Sequence, residues 1–240
     1  MQKIIKYLRL PFVFDTVRLQ EETARLSSYR WQEHYKKLHY EGGWNAIPLR
    51  SVEGKPDNIF VSQVDDSAYH DTIFLNESSY LQEVLTGFQC PLRSVRLLKL
   101  HAGAVIREHT DAELCYEKGE FRLHIPVITH PDVEFYLDGE RVHPAEGECW
   151  YMNFNLRHSV INKSRVDRIH LVIDGVVNDW VKEIFSDPAI SIRKEVSEYD
   201  LLDRATKEHM LERFRGMNNP AGIRLAAELE EHLKTIDNMQ

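Results

Sequence analysis

Residues 121–142 read FRLHIPVITHPDVEFYLDGERV, and the fold class turns on them. Two runs rich in Val, Ile, Leu and aromatic residues, FRLHIPVI and VEFYL, flank a Thr-His-Pro-Asp break, and a shorter run, ERV, follows Asp138-Gly139. Runs of this kind bounded by turn residues are strands. Asp-Gly between two of them predicts a two-residue hairpin, because a type I′ turn needs positive φ at both central residues. Within FRLHIPVI, strand alternation puts Phe121, Leu123, Ile125 and Val127 on one side and Arg122 with His124 on the other. A face that carries an arginine and a histidine is aimed at solvent or at an anion.

Outward from this stretch the same texture persists over residues 96–177. RLLKLHAGAVI (96–106), ECWYMNFN (148–155) and RIHLVIDGVV (168–177) are further strand-like runs. Antiparallel strands at this spacing predict a mainly β fold, a double-sheet jelly roll or barrel. On the N-terminal side, Asp15 can cap a helix through TVRLQEETARLSSY (16–29), and HYEGGWNAIPLRS (39–51) passes from turn glycines into an extended run. Past Asp179 the pattern turns helical and polar. Leu201, Ala205, Met210 and Phe214 can share one helical face ending at Gly216, and Asn219-Pro220 suits the cap and first turn of a final helix. The expected organisation is a domain over residues 1–178 and a helical appendage over 179–240.

With 240 residues, 42% of them hydrophobic, the chain can bury a core without covalent staples. Its 38 acidic and 30 basic residues give a formal net charge of −8, which argues against nucleic acid or an anionic membrane as partner and for small soluble ones. The opening MQKIIKYLRLPFVFD is too interrupted by Lys, Arg and Pro for the core of a signal peptide, and no apolar run reaches membrane-spanning length. Cys90, Cys115 and Cys149 form no CxxC pair and suggest free thiols in a reducing, cytoplasmic setting. Oligomeric state is left open.

Twelve histidines are too many to be ligands together, so position must select among them. In REHTD (107–111), His109 and Asp111 stand two apart after a strand-like run, so an extended backbone turns both to one side. His158, in NFNLRHSVINKS (153–164), is the candidate third ligand. Two histidines and one carboxylate on one face of an ion leave the opposite positions open, the arrangement of non-haem Fe(II) oxygenases. In RIHLVID, Arg168 and His170 alternate with Ile169, Leu171 and Ile173, repeating the pattern of Arg122 and His124. If the turn at 162–166 folds the chain back, Arg168 comes alongside the strand of His158. Its planar charged fork then suits a co-substrate carboxylate; a dicarboxylate such as 2-oxoglutarate has one end for iron and one for Arg168. Taken singly, each of these residues also fits a solvated surface row or a satisfied core histidine, and it is the set that carries the signal.

Together, HAGAVIREHTD, FRLHIPVITHPDVEFYLDGERV, GECWYMNFNLRHSVINKS and DRIHLVIDG resemble the aspartyl/asparaginyl β-hydroxylase family of Fe(II)/2-oxoglutarate-dependent dioxygenases, which includes bacterial proline hydroxylases. The resemblance covers residues 90–180 and leaves the helical tail outside. It implies a double-stranded β-helix, a cupin-like jelly-roll core. It implies Fe(II) held by His109, Asp111 and His158 as the catalytic centre, 2-oxoglutarate as co-substrate and dioxygen (O2) as oxidant. The distal carboxylate of 2-oxoglutarate falls to Arg168 and its other end to Arg122 and His124. The substrate it implies is a small amino acid or a peptidyl residue, Asp-, Asn- or Pro-like. Asp111 stands where the animal hydroxylase has glycine, as in the bacterial hydroxylases of free amino acids. Arg50 and Arg96 are candidate anchors for a substrate carboxylate, while Trp44 and Trp150 either line the pocket or fill the core. Two alternatives predict other chemistry: a non-catalytic cupin-like metal- or ligand-binding protein, and a zinc hydrolase, which would need a general base such as Glu108 or Glu113.

Overall fold

Asp138-Gly139 forms the expected hairpin: φ is +49° at Asp138 and +73° at Gly139, and Leu137 faces Glu140 across the turn. The computed structural model to which it belongs describes residues 3–29, 31–62 and 64–237. Along the chain run β1 (Lys3–Val13), α1 (Thr16–Leu26), β2 (Gln32–Glu33), β3 (Tyr40–Glu41), β4 (Trp44–Val52), β5 (Tyr69–Asp71), α2 (Ile73–Asn76) and α3 (Ser79–Thr86). The β-rich middle follows as β6 (Leu92–Leu100), β7 (Val105–His109), β8 (Glu120–Ile128), β9 (Val133–Leu137), β10 (Glu140–Val142), β11 (Glu148–Met152), β12 (His158–Asn162) and β13 (Arg168–Val176). Last come α4 (Asp179–Phe185), β14 (Arg193–Ser197), α5 (Arg204–Gly216) and α6 (Pro220–Asp237).

Contacts divide the chain into two units, one of Lys6–Arg193 and one made by the chain from Lys194 onward with the few residues before Lys6. In the larger unit the order β1-β11-β8-β13-β6-β4-β2, with β5 on β4, makes one antiparallel sheet and β10-β9-β12-β7-β3 a second. From β6 onward the chain changes sheet at almost every turn: β6, β8, β11 and β13 lie in the first, β7, β9, β10 and β12 in the second. This is the double-stranded β-helix, or jelly roll, expected from the alternating runs, with helices before and after it.

Both faces of the first sheet are buried. Inside the sandwich, Leu98, Trp150, Met152 and Val172 meet Phe135, Leu137 and Val160 of the second sheet in one cluster, each side chain contributing about 1.5–3 kcal/mol. On the outer side Leu123, Ile125, Leu171 and Ile173 are buried, and α1 packs over β8, its Gln20 amide donating to Val127 O at 3.0 Å. Helix α1 starts as expected, Asp15 accepting from the Arg18 amide at 3.1 Å. Because β13 is covered on both sides, its polar residues Arg168, His170 and Asp174 cannot reach water and face the sandwich interior beside Val172.

One sequence expectation fails here. Arg168 does not come alongside the strand of His158, since β12 pairs with β7 and β9 while β13 pairs with β6 and β8. The connection crosses between sheets instead of forming a hairpin. Asn162 fixes that crossing: its buried amide donates to Leu100 O, His101 O and Val166 O at 3.1, 3.1 and 2.9 Å, and its oxygen accepts from Ser164. Arg168 therefore looks at the second sheet across the interior.

Helix α4 lies past the boundary expected at residue 178, yet Phe185 packs on Tyr116, Phe121 and Tyr151 at ring distances of 4.8, 6.1 and 5.0 Å within the larger unit. In the smaller unit, Tyr199, Leu211, Ala226 and Leu229 form a core of their own. Asn219 caps α6 as expected, accepting from the Gly222 amide at 2.8 Å. The buried stripe of α5 differs from the expected one: the helix begins only at Arg204, so Lys207, Met210, Leu211 and Phe214 share the covered face, while Leu201 precedes it and Ala205 is exposed. No described helix is long and apolar enough to cross a membrane.

Candidate active site

Antiparallel pairing of β7 with β12 sets His109 opposite His158, ring centroids 4.2 Å apart. Just past the end of β7, the Asp111 amide donates to Phe154 O at 2.8 Å, which tucks its carboxylate beside the two rings. The ligand atoms of His109, Asp111 and His158 lie within 4.8 Å of one another, and among the described residues no other such group of three forms. The Nδ1 atoms of His109 and His158 meet the carbonyls of Arg107 and Leu156 at 2.8 and 3.0 Å. A carbonyl only accepts, so Nδ1 carries the proton in each ring and Nε2 presents its lone pair to the cluster.

The protonation states suit a cation. Burial pushes His158 down to about 4, helped by the neighbouring His109, and burial likewise lowers His109. Burial would raise the Asp111 carboxyl, but Arg122 and Lys36 outweigh it and hold Asp111 well below the usual carboxylate range. Two neutral imidazoles and one ionised carboxylate are the donor set of a facial triad with open positions, the set that takes non-haem Fe(II).

Behind the triad lies a buried charge network. Lys36 Nζ bonds Asp111 Oδ1, and Arg122 NH1 donates to Asp111 Oδ2 at 2.8 Å. Arg122 also grips Asp174 with Nε and NH2 at 2.5 and 3.0 Å, and Arg96 NH2 reaches the same carboxylate at 3.0 Å. Asp174 thus neutralises two guanidinium groups, and Arg122 orients a triad member, as the outer partners of metal ligands commonly do.

On the other side, Arg168 NH2 donates to His170 Nδ1 at 2.8 Å, so that nitrogen is an acceptor. His124 Nδ1, 3.1 Å from it, must then donate, which leaves His124 Nε2 with a lone pair. That atom is buried without a partner, as is Arg168 Nε. Arg168 is 3% exposed and meets no carboxylate among the described residues. Burial alone pushes its guanidinium down to about 9. A buried, unpaired cation is costly unless a ligand neutralises it. Arg168 and His170 line a cavity of about 540 Å³ with Thr129, Val133, Phe135 and Val142, while Asp111, Lys36, Arg96 and Arg122 line a second of about 260 Å³ with His34 and Trp44.

The model of the aspartyl/asparaginyl beta-hydroxylase family matches residues 15–177. The chain belongs to this family. L-proline cis-3-hydroxylase 2 of Streptomyces sp is 26% identical over 184 residues, covering 73% of this chain and 62% of that protein. L-proline cis-4-hydroxylase of Rhizobium meliloti (strain 1021) is 28% identical over 163 residues, covering 67% and 57%. The chain therefore spans less than two thirds of the length of these curated relatives. A solved prolyl-4-hydroxylase of Pseudomonas putida aligns at 12% identity with a TM-score of 0.44, over 72% of this chain and 94% of that one.

Within this β-hydroxylase-family chain, the residues singled out from sequence divide into two groups. His109, Asp111, His158, Arg122, His124, Arg168 and Arg96 converge on the sandwich interior. Arg50 does not: it is tied to Asp71, Tyr69 O and Leu92 O where β5 pairs with β4. Trp44 lines the smaller cavity, whereas Trp150 fills the core with its indole N–H on Glu148 at 2.8 Å. Glu108 and Glu113 are exposed, with Arg157 and Lys118 as partners, so neither is placed as a base for zinc-assisted hydrolysis. Sequence reasoning missed Asp174, although its even spacing from Arg168 and His170 marks the same face of β13. It also missed His34 and Lys36, which lie in an irregular segment with no period to reveal them.

His34, His124 and His170 make the core of this protein acid-sensitive. His34 is pushed down to about 2 by burial and then by Arg96 and Lys36. His124 and His170 sit well below the usual imidazole range through burial and then Arg168. Their folded-state values lie below the unfolded one, so the stability they contribute is complete above about pH 6.5 and is lost as pH falls below it. The expected loss is up to about 1.4 kcal/mol per pH unit per histidine. Urea midpoints measured at pH 7, 6 and 5 check this, and a midpoint that does not move would contradict neutral rings in the folded state.

Proposed function

We propose that this protein is an Fe(II)- and 2-oxoglutarate-dependent dioxygenase that hydroxylates an amino acid or a peptidyl residue of Asp, Asn or Pro type. The observation that carries this is a pair: a neutral-imidazole and carboxylate triad, and in the same sandwich a buried arginine with no counter-ion among the described residues. His109, Asp111 and His158 are the proposed iron ligands and Arg168 the partner of the distal carboxylate of 2-oxoglutarate. The remaining N–H capacity of Arg122 is available to its inner end, whereas the Nε2 lone pair of His124 can serve it only if that ring takes up a proton or changes tautomer on binding. When bound, the iron brings dioxygen and 2-oxoglutarate into reaction: one oxygen atom enters the substrate C–H bond, the other the succinate formed as CO2 is lost. The protein's own residues hold both reactants, keep Asp111 ionised through Arg122 and Lys36, and shield the site within the jelly roll. Small molecules are the proposed partners. Cys90, Cys115 and Cys149, all free thiols, support a cytoplasmic setting.

The test loads the protein anaerobically with Fe(II) and 2-oxoglutarate, admits oxygen, and scores succinate against free amino acids and short peptides. Substrate-stimulated succinate with a hydroxylated product, abolished by a chelator and restored by Fe(II), is the expected result. Arg168-dependent binding of 2-oxoglutarate without turnover of any member would remove amino-acid hydroxylation. Absence of 2-oxoglutarate binding would favour a cupin-like binding protein.

A further inference from the structure

The cavity of about 260 Å³ beside Asp111 is separate from the one that Arg168 lines. Three cations, Lys36, Arg96 and Arg122, border it, against the carboxylates of Asp111 and Asp174. Glu120 is also in the wall but accepts from Arg93 at 2.6 Å. Arg122 is already paired, with Nε and NH2 on Asp174 and NH1 on Asp111. Arg96, 2% exposed, has an Nε without an acceptor, and the buried indole N–H of Trp44 has none either. Both of the fully buried, unpartnered side-chain atoms in this wall are donors. A cation bound by Asp111 would also compete for the carboxylate that Lys36 now holds. What completes the wall must present acceptors and negative charge.

We propose that this cavity is the substrate site and that Lys36, together with Arg96, anchors a substrate carboxylate; the proposal rests on the dioxygenase reading above. Its volume falls below the ~300–1,000 Å³ of pockets for drug-sized ligands, which points to a free acid of amino-acid size. The rings of Tyr35, His34 and Trp44, stacked at 4.6 and 3.5 Å, give its carbon skeleton an apolar wall. Lys36 suits the task because a single ammonium on a flexible stem can turn from Asp111 to a neighbouring carboxylate. Its side chain is 29% exposed, so the stem has room to move.

The test uses the full chain loaded with Zn(II), which is redox-silent, and 2-oxoglutarate. Calorimetric titration with the common L-amino acids, and with the C-terminal carboxamide of each one that binds, reads the carboxylate directly. The expected result is binding of at least one acid, a carboxamide at least tenfold weaker, and a loss of tenfold or more for the acid in Lys36→Met. Lys36→Arg should recover part of that loss, and the preference for acid over carboxamide should shrink in Lys36→Met measured on protein that has taken up 2-oxoglutarate. A Lys36 that merely positioned Asp111 would not discriminate acid from amide. Equal binding of acid and amide, parental acid affinity in Lys36→Met, or no amino acid binding to protein that has taken up 2-oxoglutarate would each overturn the proposal. Failure to take up 2-oxoglutarate would instead remove the reading beneath it.

Discussion

Asp174→Ala is expected to lower the unfolding free energy by about 3–5 kcal/mol. Asp174 is 2% exposed and accepts from Arg122 twice and from Arg96 once, at 2.5, 3.0 and 3.0 Å. Without it, Arg96 would lose its carboxylate partner and Arg122 would keep only Asp111, which Lys36 also holds. Breaking a buried ion pair from one side is worse than never having built it, because the surviving charge keeps its desolvation cost. Against a typical total of 5–15 kcal/mol, the loss is a large fraction. Asp174→Asn, which keeps the shape and removes the charge, should fall on the same side of the parent. Metal affinity should also drop by roughly 10–100-fold, because Arg122 would no longer be held in line with Asp111. Urea unfolding together with a Zn(II) titration measures both; an Asp174→Ala protein within 1 kcal/mol of the parent would sink the account of the network.

Arg168→Met should behave in the opposite way. Its affinity for 2-oxoglutarate is expected to fall by about 2–5 kcal/mol, roughly 30-fold to several thousand-fold, while metal affinity changes little. Its stability without ligand should equal or exceed that of the parent, because Arg168 is buried, has no carboxylate partner among the described residues, and is pushed down to about 9 by burial alone. The unliganded fold carries that cost, and a thioether of similar reach removes it. A residue that weakens the empty protein and strengthens the liganded one is what a binding site asks of its scaffold. Calorimetric titration of 2-oxoglutarate and a thermal melt decide the matter. Unchanged affinity would take Arg168 out of the site, and a clear drop in melting temperature would show that it already serves the apo fold.

The contrast between these two residues on one strand shows how far local patterning reaches. The period-two alternation of FRLHIPVI and RIHLVID, the Asp138-Gly139 turn and the His109/Asp111 spacing are properties of an extended chain, and they hold wherever the strand is placed. The jelly roll, the two polar faces and the candidate triad are therefore legible in the sequence. The phase of the α5 stripe was less so, because a helix that begins at Arg204 resets the count that Leu201 suggested.

Partners across space were not legible. Whether Arg168 would lie beside His158 or across from it depended on Asn162 sending the chain into the other sheet, and five backbone and hydroxyl contacts of one buried side chain decide that. That Arg122 and Arg96 share Asp174 while Arg168 meets no carboxylate among the described residues depends on which strands are neighbours, a matter of sheet order. Lys36 reaches Asp111 from a segment without periodicity, 75 residues away in the chain. Strand alternation says which side chains share a face; only the packing of one sheet on the other says which charges on those faces are paired and which are left for a ligand.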